Sequence, residues 1–280
     1  MPIYLRPETI DEALHALAGA PLTVIAGGTD FYPARVGKPL DGDVLDITRL
    51  RALRGICEQG DGYRIGALTT WTDVIEAKLP GWFDGLKKAA REVGGMQVQN
   101  AGTIAGNICN ASPAADGVPA LMSLDASVEL SAARGKRTVP LDAFITGNRR
   151  TVRKADEIVT AILVPRPKRP ATTTFLKLGA RRYLVISIAM VGAAVERAPD
   201  NTVAAARIAV GSCAAVARRL PALEAALAGR PLTPQLGAAV RPEHLVSLTP
   251  IDDVRGTADY RKDAALTLVR RALDALGSAP

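Results

Sequence analysis

Histidine is nearly missing from this sequence: His15 and His244 are its only two in 280 residues. The three cysteines, Cys57, Cys109 and Cys213, are just as scattered. Metal sites and nucleophilic triads need clustered His, Cys and carboxylates, so no zinc or iron–sulfur ligand set and no Ser-His-Asp triad can be read. An odd, dispersed cysteine count also excludes a disulfide framework and points to reduced thiols, as in the cytoplasm. Aromatics make up 4% of the chain, which leaves Ala, Val, Leu and Ile to fill the core. The longest apolar run, Val185–Val195, is broken by Ser187 and Gly192. At about 11 residues it is too short to cross a bilayer. The first residues, MPIYLRPETIDEAL, carry acids early and do not read as a signal peptide. G-x-G-x-x-G, G-x-x-x-x-G-K-[ST] and G-x-S-x-G are all missing. The nearest approach, Gly60-x-Gly62-x-x-x-Gly66, lies between two strand patterns and reads as a hairpin turn.

What is present is a chain that can build a large core. It is 48% hydrophobic and 22% charged, with a length suited to one large domain or two modest ones. The net charge of +7 is unevenly spread: residues 134–182 hold 13 basic and three acidic side chains, so this window is +10 and the remainder −3. Such a face is either simply solvated or docks an anionic cofactor or acidic partner. Nucleic acid is not expected, because the window offers only Phe144, Phe175 and Tyr183 for stacking, widely spaced.

Thr9-Ile10-Asp11-Glu12 is a capping-box pattern opening a helix. The strand Leu22–Ala26, a short helix or turn ending near Gly37, and the strand Val44–Ile47 complete a small α/β unit. From residue 53 the pattern changes to a hairpin across Gly60-Asp61-Gly62, helices over 72–77 and 85–93, and strands at 128–130, 137–140 and 157–164. Pro165-Arg166-Pro167-Lys168-Arg169-Pro170 reads as a linker. Strands over 174–178, 186–196 and 203–210 follow, then helices near 220–227 and 261–276.

Two small-residue segments carry the chemistry. Ala26-Gly27-Gly28-Thr29-Asp30 directly follows an apolar strand. Adjacent glycines permit positive φ, and successive amide N–H groups can form an anion nest. The alternative is a tight strand-to-helix turn capped by Thr29 or Asp30. Residues 100–117, NAGTIAGNICNASPAADG, contain only Ile104 and Ile108 as bulky side chains. Their smallness suits a long ligand-hugging loop. There Thr103 and Asn107 can bond phosphate oxygens and Asp116 can take a ribose diol. Two nests suit a diphosphate held from both sides. With so few acid, base or ligand side chains, a bound organic cofactor is expected to do the chemistry.

These residues carry a resemblance. VIAGGTDFYP at 24–33 and NAGTIAGNICNASPAAD at 100–116 resemble the two FAD-binding signatures of the medium, flavin-carrying subunit of the molybdenum hydroxylases, the xanthine dehydrogenase and carbon monoxide dehydrogenase family. Phe175-Leu176-Lys177-Leu178-Gly179-Ala180-Arg181-Arg182 is similar to the family's F-x-K-x-x-x-R-R segment, and Arg255–Arg261 to its R-G-S-x-x-Y-R ending. The resemblance implies an α+β fold: a two-subdomain FAD-binding region of PCMH type, about 1–55 and 56–165, then a small C-terminal α+β domain, 171–280, with an antiparallel sheet. It implies noncovalent FAD held by Ile25, Ala26, Gly27, Gly28, Thr29 and Asp30 and by Thr103, Ile104, Ala105, Gly106 and Asn107. Asp116 would hold the ribose, with Val159 and Lys177 beside the cofactor. It further implies an electron-transfer subunit of a cytoplasmic heterotrimer. A small subunit would carry [2Fe–2S] clusters and a large one the molybdenum cofactor, and the acceptor would be NAD, quinone or oxygen. Ala105 departs from the family's glycine; a positive φ there would cost of order 1 kcal/mol. Covalent flavin through Cys109, a self-sufficient FAD oxidoreductase and a flavin-free scaffold remain open alternatives.

Overall fold

The computed structural model describes residues 2–279. Near its start β1 (Tyr4–Leu5) precedes α1 (Ile10–Gly19), β2 (Thr23–Ile25) and β3 (Val44–Asp46). The capping box forms as the sequence indicates: Thr9 Oγ1 accepts from the Glu12 N–H, and the Glu12 carboxylate accepts from the Thr9 N–H. Helix α1 buries Ala13 and Leu17 against Leu22, Leu45 and Ile47. The strands form a parallel sheet in the order β1-β3-β2, with β3 buried along its whole length. The two-residue β1 is too short to show a period in the sequence.

A second unit follows. Its elements are β4 (Ile56–Glu58), β5 (Gly62–Gly66), α2 (Trp71–Glu76), α3 (Asp84–Glu92), α4 (Met96–Ala101), α5 (Ile104–Asn110) and α6 (Gly117–Met122). Then come β6 (Ser127–Ala132), β7 (Gly135–Pro140), α7 (Leu141–Phe144), the small β8 (Ile145–Gly147) and β9 (Arg150–Thr151) pair, and β10 (Ile158–Pro165). An antiparallel sheet runs β4-β5-β10-β6-β7, with β10, last in sequence, at its centre. Trp71, Phe83 and Phe144 anchor the core beside it.

The small-residue segment is part helix and part loop: α4 ends at Ala101, α5 spans Ile104–Asn110, and residues 111–116 form the loop before α6. Thr103 Oγ1 caps α5 by accepting from the Gly106 N–H at 3.0 Å. Ile104 and Ile108, four apart, bury completely on one face. Its glycines let helices touch: a Cβ on Gly117 would lie 2.4 Å from Trp71 Cη2. Smallness here serves helix packing as much as ligand approach.

Beyond the Pro-rich stretch lie β11 (Ala171–Leu178), β12 (Ala189–Arg197), β13 (Val203–Gly211), β14 (Arg218–Arg219), α8 (Pro221–Leu227) and α9 (Ala258–Gly277). The strands form an antiparallel sheet in chain order. Helix α9 begins a turn before the sequence pattern, because Thr257 caps it. It buries Ala265, Val269, Ala272, Leu273 and Leu276 on the sheet. The opposite face meets the second unit: a Cβ on Gly192 would fall 2.4 Å from Pro119 O, so α6 lies directly on β12. Arg261, from the RGTADYR segment, is buried; it donates to Ile188 O at 2.7 Å and to Asp253 at 2.6 Å.

Candidate functional site

The chain leaves β2 at the carboxyl end of the parallel sheet, where open α/β sheets commonly bind ligands. There the segment Ile25–Asp30 faces the first turn of α5 across a cleft of about 460 Å³. That size lies within the usual range of small-molecule sites. Thr103, Ala105, Gly106 and Asn107 form the opposing wall, and Trp71, Val93, Val98 and Val159 supply apolar surface.

The glycines of the first wall are sterically required. A Cβ on Gly27 would fall 1.8 Å from Ala101 O. Gly28 has φ +66°, and a Cβ there would meet the Tyr32 ring at 2.5 Å. The amide N–H groups of Gly27, Gly28, Thr29 and Asp30 find no acceptor among the described residues, and neither does that of Ala105 across the cleft. Such a run of unpaired donors is an anion-binding arrangement. Asn107 Oδ1 is buried in the same wall without a hydrogen-bond partner. That oxygen lies on the side of α6, 2.9 Å from where a Cβ on Gly117 would stand.

Three expected residues stand elsewhere. Ile104 packs in the core, and its N–H is already given to Thr69 O at 2.9 Å. Asp116 is buried outside the cleft. Its Oδ2 accepts from Lys177 Nζ at 2.7 Å and its Oδ1 from Ser187 Oγ at 2.5 Å. Each carboxylate oxygen therefore already accepts from a protein group, and Asp116 is not among the residues lining the cleft. Burial pushes this carboxyl up, while the Lys177 ammonium and the Ser187 hydroxyl pull it back. Lys177, on β11, also donates to Glu92 O at 3.1 Å and so ties the pair to the residue before Val93 in the cleft wall. Ala105 sits in α5 with no positive φ, so it replaces glycine there without backbone strain.

Arginines surround the cleft. Arg35 lies 4.0 Å over the Phe31 ring, Arg149 donates to Asn110 Oδ1 at 2.5 Å, and Arg153 donates to Glu157 O at 2.8 Å. Glu157 is buried at the same edge. Two-point hydrogen bonding from Arg137, with Arg134 beside it, holds its carboxyl at about 2. Burial pushes the Cys109 thiol up to about 11, so it stays protonated and is a poor nucleophile for covalent attachment. Sequence reasoning missed Trp71, Val93, Val98, Arg35, Arg149 and Arg153 as cleft residues, because single apolar or basic side chains far apart in sequence leave no local signal. Among the described residues no group of three or more His, Cys, Asp or Glu is placed to hold a metal, and no helix is long and apolar enough to cross a membrane.

Comparison with known proteins agrees with this geometry. Residues 1–167 match the family described as the FAD binding domain in molybdopterin dehydrogenase, and residues 174–276 match the CO dehydrogenase flavoprotein C-terminal domain. The chain is 33% identical to the nicotinate dehydrogenase FAD-subunit of Eubacterium barkeri, covering 93% of this chain and 91% of that one. It is 32% identical to the carbon monoxide dehydrogenase medium chain of Hydrogenophaga pseudoflava, covering 97% and 96%. The solved carbon monoxide dehydrogenase of Hydrogenophaga pseudoflava, in a form lacking the Mo-pyranopterin moiety, superimposes with a TM-score of 0.89 at 31% identity, over 98% of this chain and 96% of that one. The reconstituted enzyme of Oligotropha carboxidovorans gives 0.91 at 25% identity, over 100% and 99%.

Proposed function

The chain belongs to the FAD-binding medium subunits of the molybdenum hydroxylases, and from that membership we propose that it is the electron-transfer subunit of such a complex. It takes electrons from the [2Fe–2S] clusters of a small subunit, which a large molybdenum-cofactor subunit reduces, and passes them to NAD, quinone or oxygen. Its place is the cytoplasm. We divide it into an FAD-binding domain over 1–165 and a C-terminal domain over 171–280.

One observation carries this reading: two facing walls that bear unpaired N–H groups line a single cleft. The N–H groups of Gly27, Gly28, Thr29 and Asp30 on one side and of Ala105 on the other would hold the FAD pyrophosphate. Asn107 would line the cofactor beside Ala105 and Gly106. Val93, Val98, Val159 and Trp71 would exclude water from an aromatic ring system. The protonated Cys109 thiol supports noncovalent binding. Bound FAD supplies the capacity to exchange electrons in ones and twos. The buried Asp116–Lys177 pair positions the Val93 wall through Glu92 O.

The visible spectrum of the purified chain tests this. Flavin absorption is expected, and after heating and centrifugation the colour should stay in the supernatant. A colourless chain that also takes up no added FAD refutes the proposal; colour in the pellet refutes noncovalent binding.

A further inference from the structure

The cleft continues along α5 beyond its first turn. Its wall takes residues from Thr103 at the cap to Cys109 and Asn110 at the far end. At about 1.5 Å per residue, the seven residues of α5 separate its two ends by about 10 Å. The glycine segment and the Ala105 N–H stand at the first end. At the second end Asn110 is joined in the cleft lining by Arg149 and Arg153. Among the described residues no carboxylate lies within ion-pair distance of either arginine. The Glu157 carboxylate is taken up by Arg134 and Arg137 instead.

The β8–β9 hairpin that carries Arg149 is strained where it meets the helix. Arg149 has φ +54°, and Ala111, which ends α5, has φ +48°. Neither is glycine, so each is held in a left-handed conformation that is unfavourable for an L-residue. The two are joined. The Arg149 N–H donates to Ala111 O at 2.9 Å, and Arg149 Nη1 donates to Asn110 Oδ1 at 2.5 Å. Its Nε and Nη2 donate to nothing among the described residues. Arg150, the next residue, folds over Gly147, where an added Cβ would lie 3.2 Å from Arg150 Nε, and it does not line the cleft. Of two adjacent arginines, the one presented to the cleft is the one with the strained backbone. Strain of this kind gathers at ligand sites.

We propose that Arg149 is a cofactor-binding residue, whose guanidinium meets a planar, acceptor-bearing ring at one end of bound FAD. The inference rests on the proposed function and adds a residue and a chemistry to it. A guanidinium held at Asn110 is about 10 Å along the helix from the N–H nest. It is therefore beyond hydrogen-bond reach of a pyrophosphate seated there. FAD carries a heteroaromatic ring system at each end, adenine and isoalloxazine, and both present acceptor atoms at their edges. A guanidinium stacks on such rings and donates to such edges through a rigid fork.

The test compares the wild-type full chain, stripped of FAD, with Arg149→Gly, Arg149→Asn and Arg150→Gln. Glycine and asparagine both accept the left-handed backbone and lack the guanidinium. Arg150→Gln removes the same charge one residue away, outside the cleft lining. Flavin fluorescence titration gives the FAD Kd, and thermal denaturation without FAD gives the stability. Both Arg149 variants should melt no lower than wild type, because the strain is relieved. Both should bind FAD at least about tenfold more weakly, the loss of one charge-assisted hydrogen bond. Arg150→Gln should bind FAD like wild type. An arginine with a merely structural role cannot give weaker binding at undiminished stability. Competition by ADP, FMN and inorganic pyrophosphate identifies the ring: a loss shared with ADP assigns adenine, and one shared with FMN assigns the flavin. A loss seen with pyrophosphate, or with neither ADP nor FMN, overturns the inference while the flavin reading stands. So does wild-type FAD affinity in both Arg149 variants, a lowered melting temperature in both, or an equal loss in Arg150→Gln. A wild-type chain that takes up no FAD sinks the proposed function and this inference together.

Discussion

Gly27→Ala probes the cleft at its tightest point. The new methyl carbon would lie 1.8 Å from Ala101 O, 2.5 Å from Ala101 C and 3.0 Å from Gly102 N. Ordinary contact begins at 3.4 Å, so the walls must separate by 3.4 − 1.8 = 1.6 Å. Every obstructing atom is backbone, so no side-chain rotation relieves the overlap. Overpacking of this kind costs about 1–3 kcal/mol. At about 2–4 °C per kcal/mol, the melting temperature should fall by roughly 2–12 °C. The loss in affinity should be larger. A ligand gripped from both sides loses at least one charge-assisted hydrogen bond when the walls part, about 1.5–3 kcal/mol. That is a roughly 10- to 150-fold rise in the FAD Kd. Flavin fluorescence titration of the FAD-stripped chain measures the affinity, and thermal denaturation the stability. Gly42→Ala is the control, because a Cβ there meets nothing within 4 Å. If Gly27→Ala binds FAD with wild-type affinity, the cleft does not work as a two-sided clamp.

Ala105→Gly restores the residue usual in the resembled signature. Because Ala105 is helical, it should lower stability by about 0.5–1 kcal/mol in chemical denaturation and leave FAD affinity unchanged; tighter FAD binding would contradict the helical assignment. Asp116→Ala leaves Lys177 buried without its partner and should destabilise the chain by about 3–5 kcal/mol. A drop in FAD affinity at full stability would instead return Asp116 to a ligand role. Glu157, depressed from 4.5 to about 2, contributes stability that is complete above pH 4.5 and lost as pH falls toward 2. Glu157→Gln should therefore be less stable than wild type at neutral pH, with the two melting curves converging between pH 4.5 and 2; a constant gap would refute the pairing.

Local patterns already contained much of the fold. Thr9 and Glu12 announce α1, Gly60-Asp61-Gly62 the β4–β5 hairpin, and the period of Leu266, Val269, Leu273 and Leu276 the final helix. Each depends on contacts only a few residues apart, so spacing alone reveals it. The glycine loop at 26–30 was legible for the same reason: Gly28 takes positive φ, and a Cβ there would strike Tyr32 four residues on. The helix α5 within 100–117 was not legible, because small residues suit a ligand-hugging loop and a tightly packed helix equally well. What separates the two is Trp71 pressed on Gly117 and Thr103 capping Gly106, the first a contact across the fold.

By itself, then, the sequence determined which residues could form anion nests, that the flavin region is α+β, and that clustered metal ligands are missing. Only the tertiary structure decided which of those residues share a wall. Asp116 and Thr103 are near in sequence, yet one is drawn out of the cleft by Lys177 and Ser187 while the other stays on it. Val93 and Val159 meet at the site although 66 residues separate them in the chain. Such placement follows from burying apolar surface and pairing buried charge over the whole chain at once, and those energies have no local signature.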